Sequence, residues 1–255
     1  MSEVLLRCEA GVAILTLNRP EARNALNLPT RKRLAEHVAA LDKDESVRVI
    51  VIMGDRKAFA AGADVALLAD KSSRDVADLG LPAYWSPIEC CSKPLVACVE
   101  GLALGAGFEL ALMCDFIVAS ESAKFGLPEV RLGIMPGAGG TQRLMRLIGR
   151  QQTLRLVLTG DLITAERAFQ LGIVSDLLSP EDCSARALEI AASLAAHPRI
   201  AVSHIREAVR HGADLSLASA LALERGLFQL LFDTADQKEG MAAFLEKRPS
   251  RFTGG

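Results

Sequence analysis

The sequence predicts an α/β protein whose sheet has substantial parallel character, followed by an all-helical C-terminal region. Three observations carry this expectation. Short apolar runs at 47–53, 94–99 and 116–119 are separated by stretches of helical periodicity, the pattern of crossover units around a sheet. The first of these is a β-branched run followed by Gly54, as suits a buried central strand. Beyond about residue 140 the strand signals nearly vanish and helical ones take over.

The elements follow in order. Val4-Leu5-Leu6 and Val12 to Leu17 form a hairpin over 3–18, with Glu9-Ala10-Gly11 at its turn and Asn18-Arg19-Pro20 as its stop. Asn27 or Thr30 caps a helix from about 30 to 42, where Leu34, Val38 and Leu41 make one apolar stripe. Val47 to Met53 is the buried strand, ended by Gly54, and 94–99 and 116–119 supply two more. Helices are expected at 140–148, 151–158, 164–171, 181–196, 199–211 and 215–231. Thr164-Ala165-Glu166-Arg167 is one helix entry and Leu171-Gly172 its exit. Residues 1–200 therefore read as the body and 201–255 as a helical tail. A tail of that length buries little by itself, so it is expected to pack on the body or on a neighbouring subunit.

Composition excludes several classes of function. A chain of 255 residues buries roughly 70–75% of its unfolded surface, enough for one large core. The 29 basic and 31 acidic residues nearly cancel and form no basic stripe, so no nucleic-acid partner is expected. No apolar stretch approaches the roughly 20 residues of a membrane span, and the start MSEVLLRCEAG lacks the pattern of a secretory signal. A cytoplasmic protein is expected. The six cysteines, at 8, 90, 91, 98, 114 and 183, have no paired metal spacing, and adjacent Cys90-Cys91 suits neither a zinc knuckle nor a CxxC site. They read first as small core residues. The four histidines, at 37, 197, 204 and 211, make no HExxH pattern and read as structural or surface residues, so no metal site is expected.

Chemistry concentrates in three Gly-rich passages, at 57–64, at 101–112 and from Phe125 through Thr141. Glycines there allow tight turns or close backbone approach, and a helix start presents free N–H groups. The run 105–107 leading into Glu109-Leu-Ala-Leu-Met113 makes such a start. Neither GxGxxG nor GxxxxGK[ST] is complete, so nucleotide cradles are disfavoured. Two acids stand out. Glu109 lies in the first helical turn among apolar residues, and Glu129 follows Pro128. The helix start lowers the pKa of Glu109 while burial raises that of either residue, and the balance is open at this stage. As structural groups, Glu109 would cap its helix and Glu129 would pair with Arg131. As chemical groups, two acids beside one electrophile orient water and deliver a proton.

Taken together, NRPEARNALN at 18–27, KAFAAGADV at 57–65, GLALGAGFELALMCD at 101–115, FGLPEVRLGIMPGAGGTQRL at 125–144 and DQKEGMAAFLEKR at 236–248 resemble the enoyl-CoA hydratase/isomerase, or crotonase, superfamily across nearly the whole chain. The resemblance extends to bacterial enoyl-CoA hydratases, including those of phenylacetate degradation that act on 2,3-dehydroadipyl-CoA. It implies a crotonase-like spiral of ββα units, a C-terminal helical region used in trimerisation, and a homotrimer or a hexamer built as a dimer of trimers. It also implies an oxyanion hole made by the backbone N–H groups of Ala63 and Ala106, the latter at a position where hydratases often carry glycine. Glu109 and Glu129 match the two catalytic acids, twenty residues apart, with Glu129 supplying the α-proton. The pair favours hydration of a trans-2-enoyl-CoA to the 3-hydroxyacyl-CoA; Δ3,Δ2-enoyl-CoA isomerisation and noncatalytic acyl-CoA binding are the alternatives. Coenzyme A enters as the substrate's handle rather than as a cofactor. Its path is implied along Ala22, Arg23, Ala25, Ala61, Ala63, Asp64, Val65 and Ala66, with Phe244 and Lys247 completing it from the C-terminal helix of the same or a neighbouring subunit. Leu67, Leu68, Leu81, Trp85 and Ile88 are candidates for the acyl wall, and Arg74 is the cation available there for an ω-carboxylate.

Overall fold

The computed structural model describes residues 2–255. Strands β1 (Val4–Glu9) and β2 (Val12–Leu17) pair antiparallel. Ala10 and Gly11 both adopt positive φ between them, the requirement of a two-residue hairpin turn that follows the strands' twist. Asn27 caps α1 (Leu28–Lys43), its side chain accepting the Thr30 N–H at 2.8 Å. Strand β3 (Val49–Met53) follows, and then the chain repeats one unit. Each unit sends a strand into a large sheet, turns, and sends a three-residue strand into a small sheet. Thus β3 is followed by β4 (Ala58–Ala60), β5 (Leu95–Val99) by β6 (Leu102–Leu104), and β7 (Phe116–Ser120) by β8 (Lys124–Gly126). Helices α2 (Ser73–Asp78) and α3 (Pro82–Glu89) separate the first unit from the second, and α4 (Ala106–Met113) the second from the third. Each unit after the first adds one parallel neighbour to both sheets. With β10 (Asp176–Leu178) parallel to β7 and β9 (Ile163–Thr164) antiparallel to β8, the orders are β1-β2-β3-β5-β7-β10 and β4-β6-β8-β9. This is the ββα spiral expected above.

The short strands β4, β6 and β8 fall in passages where the sequence suggests only loops. Two further strands, β9 (Ile163–Thr164) and β10 (Asp176–Leu178), correct the expectation that strands nearly vanish after residue 140. All five have two or three residues, too few to show a period. They exist because a neighbouring backbone is already there to pair with. At Gly101 the chain turns from one sheet to the other with φ +66°, and a Cβ there would stand 2.2 Å from the Lys57 carbonyl oxygen, so the corner is closed to any side chain.

Both faces of the large sheet are covered, which explains its unbroken apolar strands. Ala13, Leu15, Ile50, Ile52, Leu95, Ala97 and Val99 point into the main core with α1, α3 and α4. The alternate residues Val12, Ile14, Val49, Val51, Val96, Cys98 and Val118 meet Cys183, Ala187 and Ala191, which recur every fourth residue along α7 (Cys183–Ala195) and so share one face. Between the sheets' end and α7 lie α5 (Gly140–Thr159), interrupted at non-helical Gly149, and α6 (Ala165–Gln170), whose cap is Thr164. The C-terminal part consists of α8 (Arg199–Gly212), α9 (Leu217–Leu230) and α10 (Ala235–Glu246). Helix α8 docks on the body through Arg206, which donates to Asp115 at 2.7 Å and to the Cys91 carbonyl at 2.8 Å. Cys91, Cys98 and Cys183 are buried, whereas Cys8 and Cys90 are exposed. His204 meets the Leu227 carbonyl at 3.1 Å. Among the described residues no helix is long and apolar enough to cross a membrane.

Candidate active site

Glu109 owes its position to the entry of α4. Gly105 precedes the helix at φ 49°, ψ −127°, outside the regions open to residues with a Cβ. Its N–H donates to Gly126 O of the small sheet and its carbonyl accepts the Glu109 N–H, both at 2.9 Å. Glu109 therefore sits in the first turn, 2% exposed. Its side chain does not cap its own helix. Oε1 instead accepts the backbone N–H groups of Ala138 at 2.7 Å and Gly140 at 2.8 Å, at the start of α5. Burial pushes this carboxyl above the ordinary glutamate range, opposed by the N–H groups of Gly140 and Ala138, by the Arg31 charge and by Gly137. Desolvation thus outweighs these N–H groups and the Arg31 charge together.

Glu129 comes from the 3-10 turn Pro128–Leu132 that follows β8. Burial, with the Glu109 charge adding to it, pushes its carboxyl up to about 7, against a bond from its own backbone. Its Oε2 is buried and has no hydrogen-bond partner among the described residues. Arg131 turns away to Asp161 at 3.2 Å, so Glu129 is not half of a local ion pair. A Cβ placed on Gly105 would stand 3.1 Å from Glu129 Oε1 and 3.7 Å from Gly62 Cα, and one on Gly62 would stand 3.3 Å from Leu104 O. The three Gly-rich passages therefore converge on one spot.

Two backbone donors border it. Ala106 is the first residue of α4, whose N–H has no acceptor inside the helix. Ala63 follows Gly62 and is held by a parallel bridge to Leu26, whose N–H donates to Gly62 O at 2.8 Å. Among the described residues neither the Ala63 nor the Ala106 N–H donates within the chain. A pair of fixed N–H dipoles beside two acids, one of them protonated near neutrality, suits a reaction in which a carbonyl oxygen gains charge.

The other expected residues divide. Arg23 and Asn24 are left-handed; Asn24 holds this segment to β4 through Ala58 O at 2.8 Å, and Ala61 N–H donates to Arg23 O at 3.0 Å. Ala22, Arg23 and Ala25 therefore lie beside Ala61, Ala63 and Asp64, while Val65 and Ala66 are exposed on the short turn that follows. Phe244 and Lys247 are not brought to this rim within one chain. Phe244 is 83% exposed, and α10 is tied instead to the chain's end through Asp236, which accepts the N–H groups of Thr253 and Gly254. In the expected acyl wall Trp85 and Ile88 are buried, Leu67, Leu68 and Leu81 are half-buried, and Arg74 is exposed. Sequence reasoning passed over Arg31, 4% exposed. Its signal was present: it stands three residues before Leu34 and seven before Val38, on the apolar face of α1.

The description "enoyl-CoA hydratase/isomerase" belongs to the family model that matches residues 7–255. A 2,3-dehydroadipyl-CoA hydratase of Escherichia coli K12 is 45% identical, with all of both chains covered. A crotonyl-CoA hydratase of Syntrophomonas wolfei is 41% identical over 98% of this chain and 97% of its own. The crystal structure of an enoyl-CoA hydratase from Bacillus anthracis superposes with a TM-score of 0.95 at 34% identity, covering 99% of this chain and 100% of that one. The fold, the full-length match and these relatives lead to one conclusion: this chain belongs to the enoyl-CoA hydratase/isomerase family.

Proposed function

We propose that the chain hydrates trans-2-enoyl-CoA thioesters to 3-hydroxyacyl-CoA, with Glu109 and Glu129 as the catalytic acids. The single observation that carries this is the facing pair of shielded carboxyls, one held near pKa 7, beside the Ala63 and Ala106 N–H groups. The thioester oxygen accepts those two N–H groups. Ionised Glu109 takes a proton from water as the water oxygen bonds to C3, and the electron pair of the double bond moves toward the thioester oxygen. Glu129 then gives its proton to C2. The two N–H groups favour the enolate-like charge over the neutral reactant, which is what lowers the barrier. Because the acids influence each other, the protons belong to the pair as much as to either residue.

Coenzyme A serves as the handle, along Ala22, Arg23, Ala25, Ala61, Ala63, Asp64, Val65 and Ala66. A homotrimer, or a hexamer of two trimers, accounts for the exposure of Ile205, Val209, Leu217, Phe244 and Leu245 on the C-terminal helices. It also gives Phe244 and Lys247 a neighbour's site to complete. Residues 1–200 are then the catalytic body and 201–255 the assembling region of a cytoplasmic enzyme. Similarity to the Escherichia coli relative makes 2,3-dehydroadipyl-CoA the substrate to run beside crotonyl-CoA.

The test is loss of the conjugated-thioester absorbance together with chromatography of the product. Glu109→Gln and Glu129→Gln should each stay folded and lose about 10²–10⁴-fold in kcat. Full activity in both variants sinks the assigned roles. Faster migration of a 3-enoyl double bond than hydration would make the protein an isomerase, and thioester binding without turnover would make it a binding protein.

A further inference from the structure

We propose that Arg31 is a positioning residue for both halves of this site: it holds the turn carrying the Ala63 N–H and keeps a fixed positive charge facing Glu109. The inference rests on the hydratase reading of the site. An arginine stays protonated under all ordinary conditions, and burying one is costly unless its surroundings compensate it. Arg31 is 4% exposed, and three groups compensate it. Its Nε–H donates to Leu26 O at 2.9 Å. Its guanidinium lies 4.9 Å from the centre of the Trp85 ring, an attractive arrangement for a cation. The third is the Glu109 carboxylate, whose charge and that of Arg31 act on each other without a contact ion pair.

The first contact leads to the backbone donor. Leu26 is itself fully buried, donates its N–H to Gly62 O and bridges Ala63. A shift of the Leu26 peptide therefore shifts the Ala63 N–H, and an N–H displaced from a developing oxyanion loses much of its value. The charge of Arg31 acts on the base. Of the elements packed on Glu109, β4 and β6 carry no ionisable residue, and the start of α5 offers backbone N–H groups. Lys32, Arg33 and Glu36 of α1 are exposed on its outer side. Arg143, in the first turn of α5, is paired with Glu89 of α3 at 2.6 Å. The side-chain charge that supports Glu109 ionisation is thus Arg31, and the Glu109 charge in turn raises the Glu129 carboxyl. Removing Arg31 raises the Glu109 carboxyl further and leaves less of the base form at a given pH.

The experiment compares wild type, Arg31→Met and Arg31→Lys by pH profiles of kcat and KM for crotonyl-CoA, with 2,3-dehydroadipyl-CoA in parallel and melting curves as the fold control. Arg31→Met keeps the length and the packing on Trp85. Its kcat should fall at least about tenfold with KM changed far less, and its acidic limb should move upward by about one pH unit. Arg31→Lys should retain the wild-type limb, because the charge is kept, while kcat still falls because the Leu26 hold is lost. An unmoved limb and kcat in Arg31→Met overturn the proposal. So does a defect confined to the dicarboxylate substrate, which would make Arg31 a reader of the acyl tail. Should Arg31→Met fail to fold, a moved limb in Arg31→Lys overturns it equally. Inactive wild-type protein, by contrast, is a failure of the hydratase reading and is seen without any variant.

Discussion

Gly105→Ala tests whether the geometry at the start of α4 is what makes the site work. Gly105 stands at φ 49°, ψ −127°, where an L-residue stores about 1–3 kcal/mol of strain. The new methyl would stand 3.1 Å from Glu129 Oε1, closer than ordinary contact. Relief requires either the carboxyl or the 104–106 backbone to give way, and that backbone carries the Ala106 N–H. Losing an oxyanion donor outright costs about 10²–10³-fold in kcat, and a misplacement of the order of an ångström costs about 10²-fold. The variant should therefore unfold about 1–3 kcal/mol more easily and lose about 10²-fold in kcat, because the donor matters most in the transition state. Urea unfolding and crotonyl-CoA hydration measure the two. The control is Gly172→Ala, at the exit of α6, where φ is +78° and nothing lies within 4 Å. It should show only a strain cost of about 1–2 kcal/mol and an unchanged kcat. A Gly105→Ala enzyme with kcat within about twofold of wild type would refute the reasoning.

Two further predictions concern stability. Glu129 ionises near 4.5 when unfolded and about 7 when folded, so the folded protein holds a proton that the unfolded chain has lost across that window. Its contribution is fully present below 4.5 and lost as pH rises through 7. Glu129→Gln cannot lose it, so the variant should gain on wild type between pH 5 and 8 in urea unfolding; a constant difference would show that Glu129 is not perturbed. Asp115 accepts the Leu95 N–H at 2.8 Å and Arg206 at 2.7 Å, with the two charged side chains 15% and 11% exposed. Asp115→Ala strands that guanidinium and should cost about 3–5 kcal/mol, read as a lower unfolding midpoint and faster proteolysis within 199–212; unchanged protection of α8 would show that the helix is held by other contacts.

Much of the architecture was written locally. The hairpin, α1 and strands β3, β5 and β7 follow from apolar runs, turn residues or a capping residue visible without any partner. The three-residue strands of the small sheet were not legible, because a strand that short is defined by the backbone beside it. The site was legible as three Gly-rich passages and two acids. Recognition of the ordered motifs, rather than the physics of either acid alone, joined them into one centre. Arg31 was readable as a charge on an apolar helix face, yet its link to the Ala63 turn runs through the Leu26 peptide and leaves no trace in residue spacing.

The sequence by itself determined the α/β class, the order of the long strands and helices, the family, and which two carboxyls to examine. These depend on side-chain patterns and on motifs contiguous in the chain. Only the tertiary structure decided that Glu129 turns from its neighbour Arg131 and lies with Gly62 and Gly105, since a 3-10 turn and two sheets place it there. Only it decided that burial raises the Glu109 carboxyl against the N–H groups of 137–140 and the Arg31 charge, because desolvation depends on everything packed around a charge and not on the residues next to it in sequence. Within one chain it also left Phe244 and Lys247 away from the acids, since α10 is tied to the chain's own C-terminus.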